Sequence, residues 1–281
     1  MARRPFFGEE RSALAAWSGR LGVFALVVAA LSAVIVHTGL LEIAPALATF
    51  AAALVCAALA VLLALLSSIP IWQHGRTGIG RAVLGFILGA ALLAYPGFLA
   101  YRSLSLPAIN DITTNPADPP RFAVLARLRP RGALDYPGAA TAALQRDAYP
   151  AVEPLQVAAP PQIAFEVTLG VVNKRKWRVV DTLAPSATRR SGTIEAIART
   201  TLMGFRDDIA IRISPLGNGS RIDVRSASRY GKHDLGANAA RVIALLADLD
   251  EAIGNAPAEP RRPARQQPQR QPQQQQQQPR R

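Results

Sequence analysis

APALATFAAALVCAALAVLLALLSSI, residues 44–69, carries no charged side chain. As a helix it is long enough to cross the hydrocarbon core of a bilayer, which takes about 20 apolar residues. Two similar runs flank it: LGVFALVVAALSAVIVHTGLL at 21–41 and AVLGFILGAALLAYPGFLAY at 82–101. The chain therefore reads as a polar segment 1–20 followed by three transmembrane helices, 21–41, 44–69 and 82–101. A cleaved signal is the alternative for the first run, because Ala44-Pro45-Ala46 loosely resembles a small-residue cleavage site. The length of that run, and the apolar segment following it at once, favour a span.

Charge sets the expected orientation. Arg3, Arg4, Arg11 and Arg20 precede the first run and Arg76 and Arg81 lie between the second and third, whereas Glu42 alone separates the first two. The amino terminus and the second hairpin are expected in the cytoplasm. Three spans then place residues 102–256 outside it, in the periplasm of a bacterial inner membrane. Pro96 and Gly97 interrupt the third run. Gly85 and Gly89 form a small-xxx-small pair suited to close approach of another helix, and with it to homo-oligomerisation through the spans.

The formal net charge is +13, but its distribution argues against a nucleic-acid partner. After Pro257 six Arg face only Glu259, while residues 107–256 hold nineteen Lys/Arg against fifteen Asp/Glu. The excess sits in the tail and the membrane flanks, where membrane lipid is the expected contact. Cys56, the single cysteine, lies inside the second run, and His37, His74 and His233 are far apart in sequence. No cofactor and no metal site are expected. Residues 257–281 are Pro, Gln and Arg without apolar periodicity and read as a disordered tail.

The extracytoplasmic module reads as α+β. Leu106–Arg121 has linker composition, and Pro130–Pro161 predicts loops with one short helix. Ile163, Phe165, Val167 and Leu169 alternate, yet the length of the segment up to Lys176 favours a helix. Trp177–Leu183, Thr193–Thr201, Asp208–Ile213 and Arg221–Ser228 predict four strands joined by short turns, hence a mainly antiparallel four-stranded sheet. Leu235, Ala239, Val242, Leu246, Leu249 and Ile253 form one apolar stripe of a long C-terminal helix, with Asp234 as its expected N-cap. The result is a two-layer module with helices on one face of the sheet.

Alternation along the strands assigns side chains to faces. Asp223, Arg225 and Arg229 oppose Ile222, Val224, Ser226 and Ser228. Glu195 and Arg199 oppose Ile194, Ala196 and Ala198, and Asp208 and Arg212 oppose Ile209, Ile211 and Ile213. One sheet face should therefore carry a lattice of acids and arginines. Asp234, Asn238 and Arg241 share a helical stripe, and Arg229, Ser228 and Gly231 precede the helix's amino end, whose free N–H groups attract anions. Arg225, Arg229, Asn238 and Arg241 are the expected ligand-binding set, with Arg199, Phe205, Asp207, Asp208, Ser226, Ser228, Gly231, Asp234 and Gly236 as structural members of the motif. The bland alternative is that these groups satisfy one another.

The stretch from Glu195-Ala196 to Thr200, then Gly204-Phe205-Arg206-Asp207-Asp208, and then Val224-Arg225-Ser226-Ala227-Ser228-Arg229-x-Gly231 with Asp234-x-Gly236-x-Asn238-x-x-Arg241, resembles domain-of-unknown-function family 1499. This family occurs mainly in proteobacteria and often follows membrane segments. The resemblance covers roughly Leu106 to Glu251 and implies a shared local architecture without an activity.

No catalytic residue is expected. Asp207 and Asp208 are adjacent and point to opposite faces, and there is no Gly-x-Ser-x-Gly elbow, phosphate-binding loop or His-Glu-x-x-His. The expected function is non-catalytic binding of an anionic envelope ligand or a partner protein. The runner-up is a hydrolase-like or modifying enzyme using Asp207, Asp208 or His233; a third reading is a purely structural, oligomerising envelope protein.

Overall fold

The computed structural model describes residues 10–40, 43–129, 135–201 and 203–255. Arg3, Arg4, Leu41, Glu42 and the tail 257–281, all used above, lie outside them. Three long helices come first: α1 (Ala13–Thr38), α2 (Ile43–His74) and α3 (Ile79–Ser103). Each is long and apolar enough to cross a membrane. They outrun the apolar runs at several ends because helix continues through flanking polar residues, and α2 and α3 run through Pro70 and Pro96. Ser12 caps α1, its Oγ accepting from Ala15 N–H at 3.3 Å, and Gly39 ends it in the left-handed conformation.

The bundle packs through small residues. Its interior holds Ala15, Ser18, Gly22 and Ala25 of α1, Ala53, Ala57, Ala60 and Ala64 of α2, and Gly85 and Gly89 of α3. A Cβ on Gly85 would sit 2.1 Å from Ser18 Oγ, and one on Gly89 would sit 2.7 Å from the Ala57 carbonyl oxygen, so only glycine admits this approach. Ser18 Oγ donates to Ala60 O at 2.8 Å, tying α1 to α2. Large apolar side chains point outward, among them Phe24, Leu31, Leu65 and Ile87. This arrangement suits lipid, where packing rather than apolar burial holds helices together. Gly85 and Gly89 thus serve contacts within the chain.

The module follows in the order β1 (Asp111–Thr113), α4 (Val124–Arg127), α5 (Ala139–Ala148), β2 (Leu155–Val157), α6 (Pro161–Lys174), β3 (Arg178–Leu183), β4 (Gly192–Arg199), β5 (Arg206–Leu216), β6 (Gly219–Ser228) and α7 (Ala237–Gly254). The fold is α+β, but the antiparallel sheet has six strands rather than four. β3 to β6 form the expected meander, and β1 and β2 both pair with the free edge of β6, end to end. Both extra strands have three residues, too short for alternation to show, and both lie in segments whose composition reads as linker or loop. The segment from residue 161 is helical, as its length suggests.

Helices α6 and α7 cover one face of the sheet. Their core joins Phe165 and Val172 of α6, Val242, Leu245 and Leu249 of α7, and Ile194, Ile209, Ile211, Ile213, Ile222 and Val224 of the strands. Burying each such side chain contributes about 1.5–3 kcal/mol. The apolar stripe of α7 begins at Ala239 and includes Leu245; Leu235 lies before the helix, with φ +55. On the other face a smaller cluster of Phe122, Leu125, Ala126, Ile197, Ala210 and Ala227 seats α4 and its flanks.

Candidate functional site

The two faces of β5 and β6 carry different polar systems, as alternation requires. On the helix-covered face Asn238, fully buried, is the hub. Its amide oxygen accepts from Ser226 Oγ at 2.7 Å and from Arg241 Nη1, and its amide nitrogen donates to Ser228 Oγ at 2.9 Å and Asn110 O at 3.0 Å. Arg241 Nη2 donates to Asp207 Oδ2 at 2.5 Å. Asp234 accepts from the N–H groups of Gly236 and Asn238 at 2.9 and 2.8 Å. It does the work of a cap, but the N-cap position is Gly236, because positive φ at Leu235 and Gly236 turns the chain before the helix starts. Burial pushes the Asp234 carboxyl up against the pull of those N–H groups. Gly231, also at positive φ, presents its carbonyl to Asn110 Nδ2 at 2.6 Å.

The opposite face carries the expected lattice of acids and arginines, largely buried. Arg225 is 2 % exposed. It grips Asp111 with a fork, Nε to Oδ1 at 3.0 Å and Nη2 to Oδ2 at 2.7 Å, and lies over the rings of Phe122 and Tyr136 at 4.6 and 5.7 Å. Burial raises the Asp111 carboxyl while Arg225 opposes the rise. Asp208, fully buried, sits between Arg129 Nε at 2.6 Å and Arg229, whose Nε and Nη2 lie at 2.9 and 2.7 Å. Asp223 similarly joins Arg212 and Arg221 at 2.8 and 3.0 Å. Glu195 accepts from the N–H groups of Ala123, Val124 and Leu125 at 2.6, 3.1 and 2.7 Å, which anchors α4.

The sheet therefore separates the four expected ligand residues: Arg225 and Arg229 lie on one face, Asn238 and Arg241 on the other. Asp207 and Asp208 are likewise on opposite faces. His233 Nδ1 accepts from Leu235 N–H at 3.0 Å. Among the described residues no three His, Cys, Asp or Glu side chains gather as a metal site would.

One end of the lattice face differs. A cavity of about 170 Å³ is lined by Leu128, Ile197, Arg178, Arg199, Arg206 and Arg229, roomy enough for several waters at about 30 Å³ each. Arg199 stands directly opposite Arg206 in the β4–β5 register, and Arg178 opposite Ile197 in the β3–β4 register. Arg229 N–H bonds Arg206 O at 3.2 Å, which brings the end of β6 alongside. Among the described residues, Asp208 is the sole carboxylate paired with this group, and it is shared between Arg229 and Arg129. Phe205, next to Arg206, packs its ring 6.3 Å from that of Tyr230, next to Arg229. Of the four arginines, sequence reading singled out Arg199 and Arg229. It missed Arg178, although that residue lies inside the expected strand Trp177–Leu183, and Arg206, which alternation carried two residues back from Asp208 places on the lattice face.

Fold and site together define a class: a helical bundle apolar enough for a membrane, joined to an α+β module with an arginine–carboxylate lattice on its outer sheet face. Residues 111–249 match the family described as "Protein of unknown function (DUF1499)", which assigns the module to that family. No curated protein matches the chain.

Proposed function

We propose that the chain is a multi-pass protein of a bacterial inner membrane, with a cytoplasmic amino terminus and a periplasmic module that binds an anionic envelope group without transforming it. The observation that carries this reading is the Arg199–Arg206 pair. Like charges directly opposite on neighbouring strands destabilise a sheet, and with Arg178 and Arg229 on the same cavity an anion is the natural counter-charge. Guanidinium forks match phosphate and carboxylate oxygens. Of the residues first expected to hold the anion, Arg229 lines the cavity. Arg225, Asn238 and Arg241 act one step back, holding β6 and α7 in register through Asp111, Ser226 and Asp207.

An enzymatic role for Asp207, Asp208 or His233 is the weaker reading. Both acids are engaged by arginines, and a general base needs a nucleophile within hydrogen-bond reach.

Native mass spectrometry of the detergent-purified full chain beside Arg199→Gln tests the proposal. The expected result is a co-purified anionic mass that the variant loses. The same mass on both proteins, or bare protein in both, overturns the proposal and favours a structural surface.

A further inference from the structure

We infer that the anion is a phosphate ester, and that it is presented as a lipid headgroup by the membrane the protein itself spans. The inference rests on the anion-binding reading above and adds the source of the anion.

Its basis is where the cavity lies. The β4–β5 turn sits on the end of α1: a Cβ on Gly204 would meet His37 Cα at 2.9 Å, and one on Gly39 would meet Arg206 Nη2 at 3.5 Å. Gly204 and Gly39 both have positive φ, at +66 and +73, so neither position readily accepts a side chain that would hold the two parts away from each other. The Arg206 guanidinium thus reaches from the cavity to the last residues of a membrane-length helix. Arg102, at the end of α3, approaches Gly236 on the same side of the bundle. Exposed apolar and aromatic side chains mark this end, with Leu40 at 75 %, Tyr101 at 75 % and Leu104 at 86 % exposure.

A headgroup layer begins where apolar helix ends, and it carries phosphate at that depth. Tyr230, beside Arg229 and packed on Phe205, is of the residue type that settles at that level. The four arginines are therefore placed to take a phosphodiester in the leaflet that meets Gly39. A soluble phosphate ester has the same chemistry, so the test must separate the two sources.

The test titrates phosphatidylglycerol into the full-length protein in detergent and follows bound lipid by native mass spectrometry. A parallel arm uses glycerol phosphate, and both arms are repeated on the Arg199→Gln/Arg206→Gln double variant. The expected result is a first phosphatidylglycerol bound about thirtyfold more weakly by the double variant, at roughly a fivefold loss per arginine, with no binding of glycerol phosphate at matched concentration. Glycerol phosphate bound as tightly as the lipid, and lost in the variant, overturns the lipid source while leaving the anion site standing. Lipid and glycerol phosphate both unaffected by the substitutions overturn the site itself. If the double variant unfolds, Arg178→Gln, on an exposed side chain of the same cavity, carries the test with a fivefold expected loss.

Discussion

The bundle and the module are packed on opposite plans. The bundle buries Ala, Ser and Gly and turns Phe24, Leu31 and Leu65 outward, whereas the module buries Ile209, Ile211, Leu245 and Leu249 and even full charges such as Asp208 and Arg225. The difference is that expected between a bundle in lipid and a module in water. In lipid a large apolar side chain gains nothing by turning inward, so close backbone approach decides the interior. In water the apolar side chains must be inside, and the sheet's second face, not covered by α6 or α7, is closed by the small apolar cluster under α4 together with ion pairs.

The largest effect should come from the charged interior. Arg225→Ala leaves Asp111 buried without its fork and should cost about 3–5 kcal/mol, read as a fall in the denaturation midpoint of the module. Leu249→Ala in the module core should cost about 2–5 kcal/mol. Its counterpart Leu65→Ala, 57 % exposed on the bundle, should leave thermal stability in detergent nearly unchanged. Equal losses for the two leucines would break the contrast. Gly85→Leu tests the bundle's own rule: a side chain driven into Ser18 should cost about 1–3 kcal/mol by overpacking and lower the bundle's melting temperature without altering the module's.

The smallest effect concerns pH. The folded pKa of Asp234 is raised from 3.8, chiefly by burial, with N–H bonds opposing. Because the folded state favours the protonated acid, this group's contribution to stability is complete below the ordinary aspartate value and is lost as pH rises through the raised folded value. Asp234→Asn cannot titrate, so across that window its melting temperature should fall less with rising pH than that of the parent. Parallel curves would place the pH dependence elsewhere.

Much of this was legible in sequence because period 2 and period 3.6 assign faces before any contact is known. The separation of Asp207 from Asp208, the opposition of Arg225 to Ser226, and the apolar stripe from Ala239 to Ile253 all follow from that rule. The partners of those residues do not. Asp111 lies 114 positions from Arg225 in a three-residue strand, and Arg129 reaches Asp208 from just after α4, in a stretch to which no element was assigned from sequence.

The sequence by itself determined that three helices are apolar enough for a membrane, that an α+β module follows, and that one sheet face is charged. Those properties depend on residue type and local spacing. The tertiary structure decided which arginines are neutralised and which are left facing one another on a cavity. It also decided that one of the cavity's arginines, Arg206, reaches the end of α1. Charge pairing depends on distances of a few ångströms between residues remote in the chain, and only the folded register of β3 to β6 against the bundle sets those distances.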